Sequence, residues 1–379
     1  MTPQDLLDGV SSIARGWADQ RSERQQRRHL EGADFAALGD AGWWRTMVPV
    51  DQGGIWNGVA ATVRPICTTL RALGAADSSV ALVSSMHPAV ISYWLANPRD
   101  DALWREQTEA VVACAADGRQ WGTVTSEPGS GGDIAKTRTA AVPVDGSGPL
   151  PGRCYELTGD KHFGSGTGVT DFMITTARAA DEDEPGIFVL DLREPSPRHQ
   201  VVAEWDGAGM AATQSHAVRL DAMPAVRAAF PGSIAEIQLG SGGFIMALFT
   251  SVILGVLDAA VDTAAAQLTP KRETLGAFEQ TEWARAEMEH WLAVAAYERL
   301  LSAVESGDPL AGLYAGLRAK TAVAELAESV LGRISRVVGG GAYARRSPFS
   351  HWYEDVRALG FLRPPWALAH DNLFATSFG

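Results

Sequence analysis

Trp121-Gly-Thr-Val-Thr-Ser-Glu-Pro-Gly-Ser-Gly-Gly-Asp133 carries an extended, threonine-rich run into a turn built on Pro128, Gly129, Gly131 and Gly132. Glycines at such a turn let the backbone approach a ligand and present N–H groups to an anion. Some thirty residues on, Gly159-Asp-Lys-His-Phe-Gly-Ser-Gly166 repeats the arrangement, a strand entering a Gly/Ser turn with one aromatic ring. Set side by side, two such strand ends make a slot of hydroxyls, free N–H groups and a flat ring. A flat, electron-poor cofactor with a phosphate tail suits that slot.

Outward from this centre the chain changes character twice. Residues 1–120 are helical in pattern: Leu6, Leu7, Val10, Ile13 and Trp17 share one face, as do Val63, Ile66, Leu70 and Leu73. Val48-Pro-Val-Asp-Gln-Gly-Gly54 is a turn-rich break between them. Across 121–228, short Thr/Val/Tyr runs (137–144, 154–157, 172–176, 186–190, 216–220) alternate with Gly, Pro and Asp clusters, the pattern of an antiparallel β domain. The acidic stretch 180–185 reads as a solvated hairpin connection. From 229 to 379 long Ala/Leu-rich segments return, at about 236–268, 277–305 and 309–336, as helical-bundle material. The spacing predicts an α+β protein with the slot at its centre.

Composition narrows the function. A chain of 379 residues buries a large core, and its net charge of −13 argues against a nucleic-acid partner. The apolar run from Gly243 to Val256 is broken by Thr250 and Ser251 and reads as a buried helix, so no membrane partner is expected. Three scattered cysteines (Cys67, Cys114, Cys154) form neither a disulfide framework nor a zinc set, and no His/Asp/Glu group has metal-ligand spacing. Without a signal-peptide pattern, a reduced, cytoplasmic enzyme is the expectation.

Individual motifs are weaker than their sum. The 127–133 loop lacks the Lys-Ser/Thr of a P-loop and stands in no βαβ unit. Gly240-Ser-Gly-Gly-Phe244 opens the apolar helix, where close helix packing is expected over phosphate binding. His87, beside Pro88, is either a satisfied buried side chain or a proton carrier near neutral pH. His216 falls in an alternating strand and reads as structural.

Six segments in order resemble the acyl-CoA dehydrogenase superfamily over nearly the whole chain. They are Leu38-Gly…Gly53-Gly54, Ser126-Glu-Pro-Gly-Ser-Gly-Gly-Asp133, Gly159-Asp-Lys-His-Phe-Gly-Ser165, Trp205-Asp-Gly-Ala-Gly-Met-Ala-Ala-Thr213, Arg272-Glu-Thr-Leu-Gly276 with Gln280, and Val337-Val-Gly-Gly-Gly-Ala-Tyr343. The resemblance implies an N-terminal helical domain (1–120), a middle β-barrel (121–228) and a C-terminal four-helix bundle (229–379), with FAD between barrel and bundle. It implies that Ser126 and Ser165 bond the flavin ring, that Phe163 packs on it beside Gly164, and that Gly131 and Gly132 face the pyrophosphate. Arg272, Thr274, Gln280, Gly339 and Gly340 would reach the phosphate and adenosine end from a neighbouring subunit, in a homodimer or homotetramer.

The departures bear on the reaction. Dehydrogenases of this family remove a substrate α-proton with a glutamate, usually eight residues after the aspartate of an Arg-Asp pair. Here the pair is Glu354-Asp355, and eight residues on stands Arg363, which stays protonated and cannot be a base. The alternative position near the start of the long helix, 243–250, has no carboxylate either. Gly132 replaces a serine, and Phe163 a tryptophan. Phe163-Gly-Ser-Gly166 is instead similar to the two-component flavin monooxygenases of the same fold, in which reduced FMN or FAD comes from a partner reductase and His87 would fall near the flavin. Three readings stay open: dehydrogenation of an acyl thioester or related small molecule without the usual glutamate, oxygenation with reduced flavin and O2, and flavin binding without catalysis.

Overall fold

The structure, a computed structural model, describes residues 1–180, 182 and 184–377. Helices come first: α1 (Pro3–Asp19), α2 (Arg21–Arg24), α3 (Gly32–Asp40), α4 (Val59–Ala76), α5 (Ser78–Leu95) and α6 (Ala102–Ala116). Strands follow: β1 (Trp121–Thr123), β2 (Ala140–Val144), β3 (Cys154–Gly164), β4 (Phe172–Ala179), β5 (Gly186–Asp191), β6 (His199–Ala203) and β7 (His216–Arg227). Helices close the chain: α7 (Ile234–Leu268), α8 (Ala277–Glu305), α9 (Pro309–Val338), α10 (Pro348–Phe361) and α11 (Trp366–Ala375).

Local signals account for these boundaries. Thr2 and Asp5 form a capping box that starts α1, which buries Leu6, Val10 and Trp17 along the stripe read from sequence. Asp77 accepts the Val80 N–H to start α5. Ser233 and Glu236 cap α7 in the same reciprocal way. The acidic connection expected at 180–185 does join two antiparallel strands, β4 and β5, although Asp181 and Asp183 lie outside the described residues.

The strands close on themselves. β4 pairs with β2, β2 with β3, β3 with β7, β7 with β5, and β5 again with β4. Pairing all round the ring leaves β1 and β6 as additions, β1 on β4 and β6 on β7. The interior is filled by Tyr155, Leu157, Met173, Phe188, Leu190, Val218 and Leu220, all buried. Outward-facing Trp121, Phe172, Ile174 and Val226 instead join the helical core.

That helical core is shared by both ends of the chain, so the first helices do not bury a separate core of their own. α7 is long and apolar enough to cross a membrane by length and composition, yet most of its surface is covered by neighbouring helices. α4 and α7 touch backbone to backbone. A β-carbon on Gly74 would run into the Val252 carbonyl, and one on Gly255 into the Arg71 carbonyl. Arg71 then bonds Asp258 across the same contact, at 2.5 and 2.9 Å. Gly243 is likewise needed for close approach, with a β-carbon there falling 2.7 Å from Gly312, so the Gly-rich start of α7 serves helix packing.

Candidate functional site

The two Gly-rich turns meet. The Ser126 carbonyl accepts the His162 N–H at 2.8 Å, so the end of β3 lies against the 126–133 segment. Beneath them Glu127 and Lys161 form a buried ion pair, with Lys161 Nζ donating to Glu127 Oε1 at 2.6 Å and to the Thr176 carbonyl at 2.6 Å. Glu127 also accepts from the Arg138 and Thr139 N–H groups at 2.7 and 3.1 Å and from the hydroxyls of Thr137 and Thr139. Burial alone would raise the Glu127 pKa, but these donors, Lys161 first among them, bring it down to about 2. Burial pulls Lys161 to about 8, still protonated at neutral pH.

On this base stand the residues of the two turns. Phe163 is more than half exposed and holds φ at 60°, a strained conformation for a bulky residue. Its ring meets Trp205 edge-on at 6.0 Å. Gly131, at φ 63°, has open space beside its α-carbon. Gly132 does not: at φ 81°, a β-carbon there would lie 2.8 Å from Pro365 Cγ, so this glycine meets the C-terminal segment of its own chain. That contact gives a physical reason for glycine where relatives of the resembled family have serine. Gly164 packs on Val124 and Thr167, and a β-carbon would fall 2.9 Å from Thr167 Oγ1. Ser165 is buried, and its hydroxyl joins a chain through Ser215 (2.8 Å) to Thr213 (2.7 Å).

The C-terminal segment reaches the same place. Arg363 donates from Nη2 to Ser126 Oγ at 3.2 Å, and its flanking carbonyls, of Leu362 and Pro364, accept from Lys320 Nζ of α9 at 2.8 and 2.5 Å. Burial lowers the Arg363 pKa, yet a guanidinium remains a cation at any working pH. One more link ties the 205–213 loop to the helices. Asp355 of α10 accepts from Met210 N–H at 2.7 Å and Ser78 Oγ at 2.6 Å, docking the 205–213 loop on the helices. Burial pushes that carboxyl up to about 6.

His87 is fully buried in α5, its Nε2–H donates to the Trp44 carbonyl at 2.8 Å, and its Nδ1 has no partner among the described residues. Burial lowers its pKa to about 3, so it is neutral through the physiological range, and its polar contact is with Trp44, not with either strand turn. His216 is a strand residue whose Nδ1 accepts the Trp205 N–H at 2.9 Å. His370 lies on α11, stacked on Trp366, and its ionic neighbour is Glu325. Arg272, Thr274 and Gln280 stand apart within one chain: their bonds run to Glu273, Lys271 and Leu275. Gly339 caps α9 at φ 88°, with open space around it and around Gly340.

The flavin expected from the sequence fits the residues at the turns. Phe163 offers an exposed ring face, Ser126 a hydroxyl, and Gly131 an unobstructed backbone. Sequence reasoning missed Lys320, the Glu127–Lys161 pair and the docking role of Asp355. Lys320 sits among ordinary helix residues, whereas Glu127, Lys161 and Asp355 stand inside segments quoted from the sequence.

No family model matches the chain. It is 25% identical over 378 residues to YdbM of Bacillus subtilis (strain 168), described as acyl-CoA dehydrogenase-like, with 95% of this chain and 92% of the relative covered. It is 26% identical over 338 residues to the amino sugar nitrososynthase DnmZ of Streptomyces peucetius, covering 84% and 78%. Among solved structures, KijD3 in complex with dTDP superposes with a TM-score of 0.82 at 23% identity, over 98% of this chain and 96% of that one. FMN-bound TdsC from Paenibacillus sp. A11-2 gives 0.79 at 17%, over 97% and 96%. The structural likeness establishes an acyl-CoA dehydrogenase-like α+β fold. In sequence the chain is similar, at 23–26% identity, to members of the acyl-CoA dehydrogenase-like superfamily of flavin-dependent oxidoreductases, which includes flavin monooxygenases.

Proposed function

We propose that the protein is a flavin-dependent monooxygenase that takes reduced FMN or FAD from a separate reductase and oxygenates a small molecule. The carrying observation is Arg363. The position where a dehydrogenase of this family keeps its glutamate holds a cation anchored by Lys320 and bonded to Ser126. A cation there cannot accept an α-proton. Several relatives point the same way: a nitrososynthase, a pigment production hydroxylase, the dibenzothiophene monooxygenase TdsC and the methanesulfinate monooxygenase MsuC.

In this reading Ser126 bonds the flavin ring, Phe163 covers one face, Gly131 lets the chain close on the phosphate side, and Gly164 and Ser165 shape the turn. Arg272, Thr274, Gln280, Gly339 and Gly340 serve a neighbouring subunit's cofactor. A homodimer or homotetramer is supported by α8, which leaves Phe278, Met288 and Trp291 more than half exposed on one helix. When bound, reduced flavin would provide the two electrons for oxygenation by O2, with one oxygen atom entering substrate and the other leaving as water. The protein's part is to hold the ring, exclude bulk water and orient the acceptor.

Anaerobic mixing of the FAD-loaded protein with octanoyl-CoA tests the assignment. We expect no bleaching and, in a separate aerobic reaction supplied with reduced FMN, 18O incorporation from 18O2 into methanesulfinate. Bleaching by the thioester would establish dehydrogenation instead, and failure to bind oxidised or reduced flavin would end both readings.

A further inference from the structure

Arg363 has no carboxylate partner among the described residues. The acid that it senses electrostatically, Asp133, is already engaged by the Ala135 N–H at 3.0 Å and by Lys136 at 3.5 Å. One guanidinium N–H goes to Ser126 Oγ, which leaves most of its five donors without a hydrogen-bond partner among the described residues. A partly buried cation without a counterion is costly, so its retention calls for a reason.

A second cation enforces the first. Lys320 is 1% exposed and likewise has no carboxylate; its ammonium is satisfied by the carbonyls on either side of Arg363. The arrangement spends a buried lysine on fixing the backbone that aims the guanidinium. Pro365, packed on Gly132, holds the segment from its other side.

We propose that Arg363, aimed by Lys320 and bonded to Ser126, is an anion-recognition site, and that the substrate carries a small oxyanion head such as a carboxylate or sulfinate. Two oxygens of such a head match the free edge of a guanidinium fork. Arg363 touches the substrate, whereas Lys320 is a positioning residue. The assignment deepens the monooxygenase reading and rests on it for the place of the flavin.

Calorimetry of the intact protein, with and without saturating FMN, tests it. The probes are benzoate and methanesulfinate, against the neutral benzamide and dimethyl sulfone. The expected result is that the anions bind and the neutral compounds do not. Arg363→Gln weakens the anions about tenfold or more, and Arg363→Lys by less, because charge survives and the fork does not. Lys320→Met weakens them about threefold or more while FMN affinity stays within about twofold, a split that a general loss of structure would not give. Should Lys320→Met fail to fold, the two Arg363 variants decide the matter. Equal anion binding by wild type and Arg363→Gln, binding of neither anion, or equal binding of anionic and neutral probes would overturn the proposal. Loss of FMN binding with anion recognition intact would instead overturn the flavin reading and leave Arg363 in its role.

Discussion

Lys161 Nζ lies 2.6 Å from Glu127 Oε1, and both side chains are buried beneath the two Gly-rich turns. Each residue belongs to one of the Gly-rich segments, so the pair locks the floor of one turn to the other. Removing one partner leaves a buried charge uncompensated. Glu127→Gln or Lys161→Met is therefore expected to cost about 3–5 kcal/mol of unfolding free energy in urea denaturation. The pair also sets an acid limit. The Glu127 pKa is about 2 in the folded chain and the ordinary 4.5 unfolded, so its contribution is complete above 4.5 and is lost as pH falls toward 2. Glu127→Gln should flatten stability over that window, and an unchanged acid slope would refute the assignment.

Gly132→Ser restores the residue found in the resembled family. Here it should destabilise, because its β-carbon meets Pro365 and its φ is 81°. A loss of about 1–3 kcal/mol is expected from overpacking and left-handed backbone together, read as a lowered Tm. Pairing it with Pro365→Ala should recover the packing part. If the single variant matches wild type, the contact is not what keeps glycine at 132.

Much of the architecture was legible because burial follows period. The stripes of α1 and α4 and the spans of α8 and α9 come directly from apolar spacing. Shared burial between the two ends of the chain was not legible, since Gly74 and Gly255 look like helix weaknesses until α4 and α7 are seen in backbone contact. At the site, the turns declared themselves by glycine and proline chemistry. Lys320 could not, because a lysine in a helix reads as solvent-facing until two carbonyls from the far end of the chain are found around it. His87 left two readings open in the sequence, proton carrier or satisfied buried side chain, and only its burial and the Trp44 carbonyl show that it is held neutral.

Phe163 combines a strained φ with an exposed ring. Phe163→Gly relieves the backbone and removes the ring, so stability and cofactor affinity should separate. Unfolding free energy is expected to rise or hold within about 0.5 kcal/mol, whereas the FMN Kd rises about tenfold, as fits loss of one stacked ring. Fluorescence titration with FMN reads the affinity. A variant that binds FMN as tightly as wild type would remove Phe163 from the cofactor site.

Asp355 predicts a pH effect of the opposite sign to that of Glu127. Its folded pKa is raised to about 6 by burial, despite the Ser78 hydroxyl and the Met210 N–H that favour the anion. Between the ordinary 3.8 and about 6 the folded chain holds a proton that the unfolded chain has released. Stability from this group is therefore fully present below 3.8 and is lost as pH rises through 6, leaving a charged, buried carboxylate at neutral pH. Asp355→Asn keeps an oxygen for Met210 N–H and cannot ionise. Its stability relative to wild type should improve as pH goes from 4 to 7, by up to about 2–3 kcal/mol for a shift of this size. Urea unfolding at several pH values measures the difference. If the Asn variant instead lost ground as pH rose, the anion would be the form that the 205–213 loop requires, and the Ser78 and Met210 bonds would outweigh the burial.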